Sequence, residues 1–388
     1  MVLGYLLQVS SAALLLAQHF ALPMFLGMVD YGRMATLVGA ASLLSVGYDH
    51  GYNLLVVRNP RLAWHYLAIK LALLSVACSA AGLWVWADGR VSPWLMAAAG
   101  LHGLSFVLYT FYVHVDIAHG QVKRVLRYSL ASGLLLLACP LALHAVSADV
   151  AYAPALGGVL SLVLTVALRG TKVNGRGLSC LRHTQLHLGH LRLTAVKQAQ
   201  ISMGTIIDGA IVWVGVILVS TTYGFEAAAV YRVAMSAVGL MTQALPLPKQ
   251  VLLKIARQST DISWARRYAL MLLIAGAAQA LAIVLLGHSV LLSFIPVHAD
   301  AIYHAVLILS AVPALRAMLE LQTILHDRLN QLSWLATSAL VSLALTAVLL
   351  RVDIYLFVLA FYVLLCAMGA RPLIFSSTRD LQSSRTSD

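Results

Sequence analysis

Six charged residues lie within long apolar runs: Asp49, Lys70, Asp208, Arg232, Arg316 and Glu320. A charge at the centre of a bilayer costs about 2.5–3.5 kcal/mol on insertion scales, so such residues face a protein interior or a water-filled path and are candidates for function. Three are acidic and three basic, so the interior they line is electrically balanced if they pair. Asp49 lies nine residues before Arg58, at the inner end of its run, and Asp208 lies about nine residues into another from the same side. At 1.5 Å per residue both sit about 14 Å from that boundary. Lys70, Arg316 and Glu320 also fall in the inner half, whereas Arg232 is nearer the outer face. Gln8, Gln18 and His19 add polarity to the first run, where they suit either the lining of a sugar path or hydrogen bonding between helices. A structural alternative stands beside each assignment. Arg316 and Glu320 are spaced to pair on one helix, and Lys70 is placed to snorkel towards the inner interface.

The elements that must hold these residues are membrane-spanning helices. Of 388 residues, 61% are hydrophobic and 10% charged. A soluble domain carries about 25% charged residues. Only closed hydrogen bonding survives in a hydrocarbon core, and about 20 apolar residues cross it as a helix. The runs predict an all-α integral membrane protein with about 12 spans, near 3–27, 34–57, 64–87, 92–115, 126–146, 151–168, 199–221, 226–248, 267–287, 301–325, 331–350 and 353–375. The first has no basic region ahead of it and no small-residue cleavage site, so it is expected to be retained.

The basic residues orient these spans. Loops after even-numbered spans hold 20 of the 26 lysines and arginines, including Arg58, Arg61, Lys123, Arg124, Arg127 and Arg169. Loops after odd-numbered spans hold only Arg33, Arg90 and Arg351. Positive residues remain on the cytoplasmic side, which predicts a multi-pass protein of the bacterial inner membrane with both termini in the cytoplasm. The basic stretch 169–198 then links an N-terminal six-helix bundle, 1–168, to a C-terminal one, 199–375, and 376–388 is a cytoplasmic tail. Tyr31-Gly32, opening the second span, is echoed by Tyr223-Gly224, opening the eighth, as a duplication with parallel halves requires.

Other chemistry finds little support. Cys78, Cys139 and Cys366 fall in spans and Cys180 in a cytoplasmic loop, so no disulfide is expected. Cys180, His183, His187 and His190 share a helical face, which suits a basic interfacial segment better than a metal site. His102, His114 and His144 form no convincing acid–base constellation, and the segment from His114 to His119 matches no metal or catalytic pattern. No P-loop, nucleophile elbow or glycine-rich dinucleotide motif is present, so the chain reads as no enzyme, with neither metal nor cofactor beyond a coupling ion, H+ or Na+.

The stretch from Leu22 through Pro23, Tyr31, Gly32 and Arg33, closing on Leu54-Leu-Val-Val-Arg58, resembles the start of bacterial polysaccharide flippases. Gly204-Thr-Ile-Ile-Asp208, then Tyr223-Gly-Phe-Glu-Ala-Ala-Ala-Val-Tyr-Arg232 and Pro246, resembles their second half. The family is that of the Wzx-like members of the multidrug/oligosaccharidyl-lipid/polysaccharide exporter superfamily. The resemblance implies a V-shaped transporter of two six-helix bundles, carrying an undecaprenyl-pyrophosphate-linked oligosaccharide, of the O-antigen or exopolysaccharide kind, to the outer leaflet by alternating access. Its implied partners are that lipid-linked oligosaccharide and membrane lipid, with a polysaccharide polymerase and glycosyltransferases beside it and no nucleic acid. A pyrophosphate needs cationic forks, which makes Arg58, Arg232 and Arg316 the expected head-group ligands. Arg58 also stands where the positive-inside rule alone would put an arginine. Asp208 is expected to bind the coupling ion or to position a basic residue. An ion-coupled multidrug or cation antiporter of the same superfamily is the alternative, though a cavity for cations should be dominated by carboxylates and aromatics. A glycan-modifying membrane enzyme is a further alternative.

Overall fold

The computed structural model describes residues 17–58, 60–88, 92–169, 211–245, 263–328 and 332–370, together with Leu14, Gly209 and Leu373. Among these the protein is all-α. After a π-helical turn at Ala17–Ala21 come α1 (Leu22–Leu26), α2 (Met28–Arg58), α3 (Ala63–Asp88), α4 (Pro93–Ala118), α5 (Val122–Ala145) and α6 (Ala153–Arg169). Then follow α7 (Ile211–Tyr223), α8 (Phe225–Ala244), α9 (Ser263–Ala282), α10 (His288–Phe294), α11 (Ala299–Ile308), α12 (Val312–Arg328), α13 (Leu332–Thr346) and α14 (Ile354–Gly369). Seven helical stretches among the described residues are long and apolar enough to cross a membrane, and α7 and α14 are shorter apolar helices. The sixth expected span is one of the seven, running from Val150 to Arg169.

Two compact units divide the chain, Met1–Arg232 and Val233–Asp388. In the first, α2 packs on α3, α4 and the turn at Val150–Tyr152, and α4 and α5 both pack on α6. Its core joins Leu44 and Val56 of α2 to Tyr66, Leu67 and Leu74 of α3 and Val107, Phe111 and Val115 of α4. A second core is built of small residues, Ala41, Ala98, Ala99 and Ala155, with Leu37. Lipid is as apolar as leucine, so helices in a membrane associate by close packing of small residues and by interhelical hydrogen bonds. Gly103 accordingly faces the Ala41 carbonyl at 3.5 Å from where a Cβ would stand. In the second unit α12 packs against α9, α13 and α14. Gln322 Nε2 donates to the Cys366 carbonyl at 2.9 Å, and His326 Nε2 meets the Gly369 carbonyl at 3.1 Å, tying α12 to α14.

The polar pattern is that of a protein solvated by hydrocarbon. Large apolar side chains such as Val163, Leu270, Leu273, Ile274 and Leu285 point outward, while Ser105, Ser161, Thr165 and Thr346 are buried. Each of those hydroxyls bonds a carbonyl four residues back in its own helix, at 2.6–2.8 Å, so none of these four is stranded.

One expected register is corrected. The chain breaks at Gly27, with φ 78°, and again at Gly224, with φ 90°. Both torsions lie where a side chain is strained and glycine is not. Gly27 is therefore the local counterpart of Gly224, and Tyr31-Gly32 lies inside α2 instead of opening it.

Candidate functional site

The first unit brings His19, Tyr31, Trp213 and Arg232 together. His19 comes from the π-helical turn, where the wider winding of the backbone accommodates Ala17–Ala21 ahead of α1. Tyr31 stands one turn into α2, and its side chain is 1% exposed. Trp213 and Arg232 face each other from α7 and α8, an antiparallel pair folded back at Gly224 and pinned by the Tyr231 hydroxyl, which donates to the Ile211 carbonyl at 3.0 Å. Gly39 of α2 admits the backbone of Trp213, whose carbonyl lies 3.4 Å from where a Cβ on Gly39 would be. Gly32 does the same for Phe225, whose carbonyl occupies the space a Cβ there would need.

The Arg232 guanidinium lies 4.0 Å from the centroid of the Trp213 ring. Its Nη2 is 3.4 Å from His19 Nε2, and His19 Nδ1 is 2.6 Å from the Tyr31 hydroxyl oxygen. A guanidinium only donates, so His19 Nε2 accepts and the ring carries its proton on Nδ1, which donates to Tyr31. The Tyr31 oxygen is also in hydrogen-bond contact with Arg232. A chain of hydrogen bonds thus fixes the guanidinium plane, with an aromatic face beneath it. Desolvated cation–π contacts of this kind contribute about 2 kcal/mol, and a planar fork held in one orientation is suited to two oxygens of one anion. Arg232 is seven residues into α8, so the cluster stands about 10 Å from the turn at Gly224. That end of the unit is opposite the one carrying Arg61, Lys123 and Arg169.

Of the other expected site residues, Gln18 is engaged in helix packing, its Nε2 donating to the Gly133 carbonyl of α5 at 3.3 Å. Lys70 is wholly buried on α3, which overturns the snorkelling alternative. Arg316 and Glu320 lie a turn apart on α12 in the second unit, each partly buried. Among the described residues no ion pair joins them, so the i,i+4 pairing is corrected as well. Asp208, with Gln8, the linker histidines and Cys180, lies outside the described residues, as do the side chains of Asp49 and Arg58.

A second polar cluster escaped the sequence reading. Asp116, 3% exposed, accepts from the Tyr128 hydroxyl at 2.9 Å and from Arg169 Nε at 3.2 Å. The Arg169 guanidinium also lies over the Tyr112 ring at 4.8 Å. The expected fourth span stopped at 115, one residue short of Asp116, but α4 continues to Ala118 before His119 caps it. His114 and His119 bond the carbonyls of Thr110 and Val115 in the same helix, both at 2.7 Å. His102 Nδ1 meets the Pro154 carbonyl at 2.7 Å, joining α4 to α6.

Comparison with solved structures resolves the fold. The eukaryotic MATE transporter AtDTX14 superposes with a TM-score of 0.57 at 12% identity, over 99% of this chain and 94% of its own. The chain has the MATE transporter fold. An inward-facing multidrug resistance MATE family transporter of the MOP superfamily gives a TM-score of 0.58 at 11% identity, over 98% of this chain and 96% of its own. A MATE protein in a bent conformation gives 0.57 at 12% identity, over 98% and 95%. No family model and no curated protein sequence matches. At such identities the MATE fold is shared while side chains are free to differ, so the site must be argued from its own residues.

Proposed function

We propose that this protein is a flippase that moves an undecaprenyl-pyrophosphate-linked oligosaccharide from the inner to the outer leaflet of the bacterial inner membrane by alternating access. The observation that supports this reading above the others is the half-buried Arg232, held on Trp213 and oriented by His19 and Tyr31. Most of a bilayer-spanning protein avoids such a charge, and a guanidinium with a fixed plane matches the oxygens of a pyrophosphate. Arg58 and Arg316 are the further cations assigned to the head group, with Asp49 and Glu320 along the polar path. Asp208 is assigned to the coupling ion, H+ or Na+. The lipid tail remains in the membrane during transfer, and polymerase and glycosyltransferases supply and consume the cargo. Two parallel six-helix bundles, 1–168 and 199–375, would carry the motion.

The MATE fold equally hosts multidrug transporters, and that antiporter function is the competing reading. Transfer of a fluorescent lipid-linked oligosaccharide across proteoliposomes, with wild type, Arg232→Ala and Asp208→Asn at matched folding, separates the two. Protein-dependent transfer that falls in Arg232→Ala supports the flippase. No transfer of several such lipids, together with ion-driven export of cationic drugs, overturns it.

A further inference from the structure

Where α5 begins and α6 ends, a cavity of roughly 250 Å³ opens between Gln121, Lys123, Arg124, Arg127 and Leu168. Three cations converge on it. Neighbouring Arg169 is already committed, since its Nε binds Asp116 and its plane covers Tyr112. Among the described residues, by contrast, no acidic side chain pairs with Lys123, Arg124 or Arg127. The positive-inside rule accounts for basic residues at such a boundary but not for their convergence around a space.

We propose that this cavity binds a phosphoryl group. Two guanidinium forks and an ammonium provide more donors than a carboxylate can use, and a tetrahedral group with several oxygens satisfies them together. Gln121 adds an amide donor at the rim. Leu168, which closes one wall, is followed one and two turns back on the same side of α6 by the half-buried Leu164 and the exposed Leu160. An anionic phospholipid would set its phosphate among the cations and lay an acyl chain along those residues. Soluble phosphate offers the same oxygens without the chain. Basic pockets between helices at a membrane boundary are suited to anionic headgroups on general electrostatic grounds. This assignment is independent of the transported cargo, because the pocket lies at the end of the first unit away from Arg232.

The full chain, purified in detergent, would be incubated with phosphatidylglycerol and phosphatidylcholine in equal amounts and the retained lipid read by native mass spectrometry. In parallel, thermal unfolding would be followed while inorganic phosphate replaces chloride at constant ionic strength. The variants are Lys123→Gln/Arg124→Gln/Arg127→Gln together, Arg127→Gln alone, and Arg61→Gln as a basic residue outside the cavity. Wild type should retain phosphatidylglycerol over phosphatidylcholine if a lipid is the source, or be stabilised by phosphate over chloride if a soluble ion is. The response should fall by about tenfold or more in the triple variant and partly in Arg127→Gln, with Arg61→Gln unchanged. Should the triple variant not fold, the single variant carries the comparison. Equal retention of the two lipids with no phosphate effect overturns the proposal, and so does a response unchanged by Arg127→Gln and the triple variant.

Discussion

Arg232 illustrates how a single side chain is made specific by its neighbours. Its charge is held by a ring, an imidazole and a phenol drawn from three other segments of the first unit, which leaves its orientation fixed before any anion arrives. Lysine keeps the charge but loses the planar fork and its stacking. Arg232→Lys should therefore lower transfer of lipid-linked oligosaccharide by about tenfold or more while the thermal midpoint in detergent changes little. Measured transfer equal to wild type would remove Arg232 from the proposed head-group site. The Asp116–Arg169 pair makes the opposite use of a buried charge, because both partners are satisfied. Hydrogen bonds to charged groups contribute about 1.5–3 kcal/mol, so Asp116→Asn should destabilise by that order. In a double-mutant cycle with Arg169→Gln, most of the loss should appear as coupling between the two. Additive losses would mean that the contact is incidental.

At the scale of helices, two devices decide how the segments start and how closely they approach. Asp353 caps α14, its carboxylate accepting from the Tyr355 and Leu356 amides at 2.6 and 3.0 Å. Asp353→Ala should cost about 1 kcal/mol, and Asp353→Asn much less, as measured by thermal unfolding. Gly32 has another role, since it is an ordinary α-helical residue whose missing side chain lets α2 meet the first residue of α8. The obstacle to a methyl group there is the Phe225 backbone, which cannot rotate away. Gly32→Ala should destabilise by about 1–3 kcal/mol through overpacking, whereas Gly239→Ala, with open space around it, should not. Equal stability of the two variants would show that α2 and α8 separate at no cost.

For the whole molecule, the open question is orientation, which the charge asymmetry predicts and accessibility tests. In a background with Cys180→Ser, Gln121→Cys should react with a membrane-impermeant thiol reagent only after the cells are opened. Ala148→Cys, at the other end of α5, should react in intact spheroplasts. Both positions are solvent-facing, so burial does not confuse the result. The reverse pattern would invert the direction of every transport step assigned above.

Much of this architecture is written in composition. Apolar runs of span length, and the bias of lysine and arginine, 20 against three, towards alternate loops, require an all-α membrane protein, because the bilayer penalises unpaired backbone and misplaced charge wherever they occur. Arg232 and His19 could be singled out for the same reason, as polar groups where lipid makes polarity costly. Their conjunction could not, since 213 residues separate them and only packing brings the π-helical turn beside α8. Tyr31 and Trp213 were invisible as partners because aromatic residues are unremarkable in a membrane span. Asp116 was hidden by a one-residue error in a helix end, and the break at Gly27 was hidden because φ is not a property of composition, whereas the one at Gly224 fell where the eighth span was expected to open. Sequence alone determined which residues could afford to be polar in this protein, a question of transfer free energy. Which of them meet was decided by the tertiary structure, because meeting depends on helix phase and on the few places where a missing Cβ lets two backbones touch.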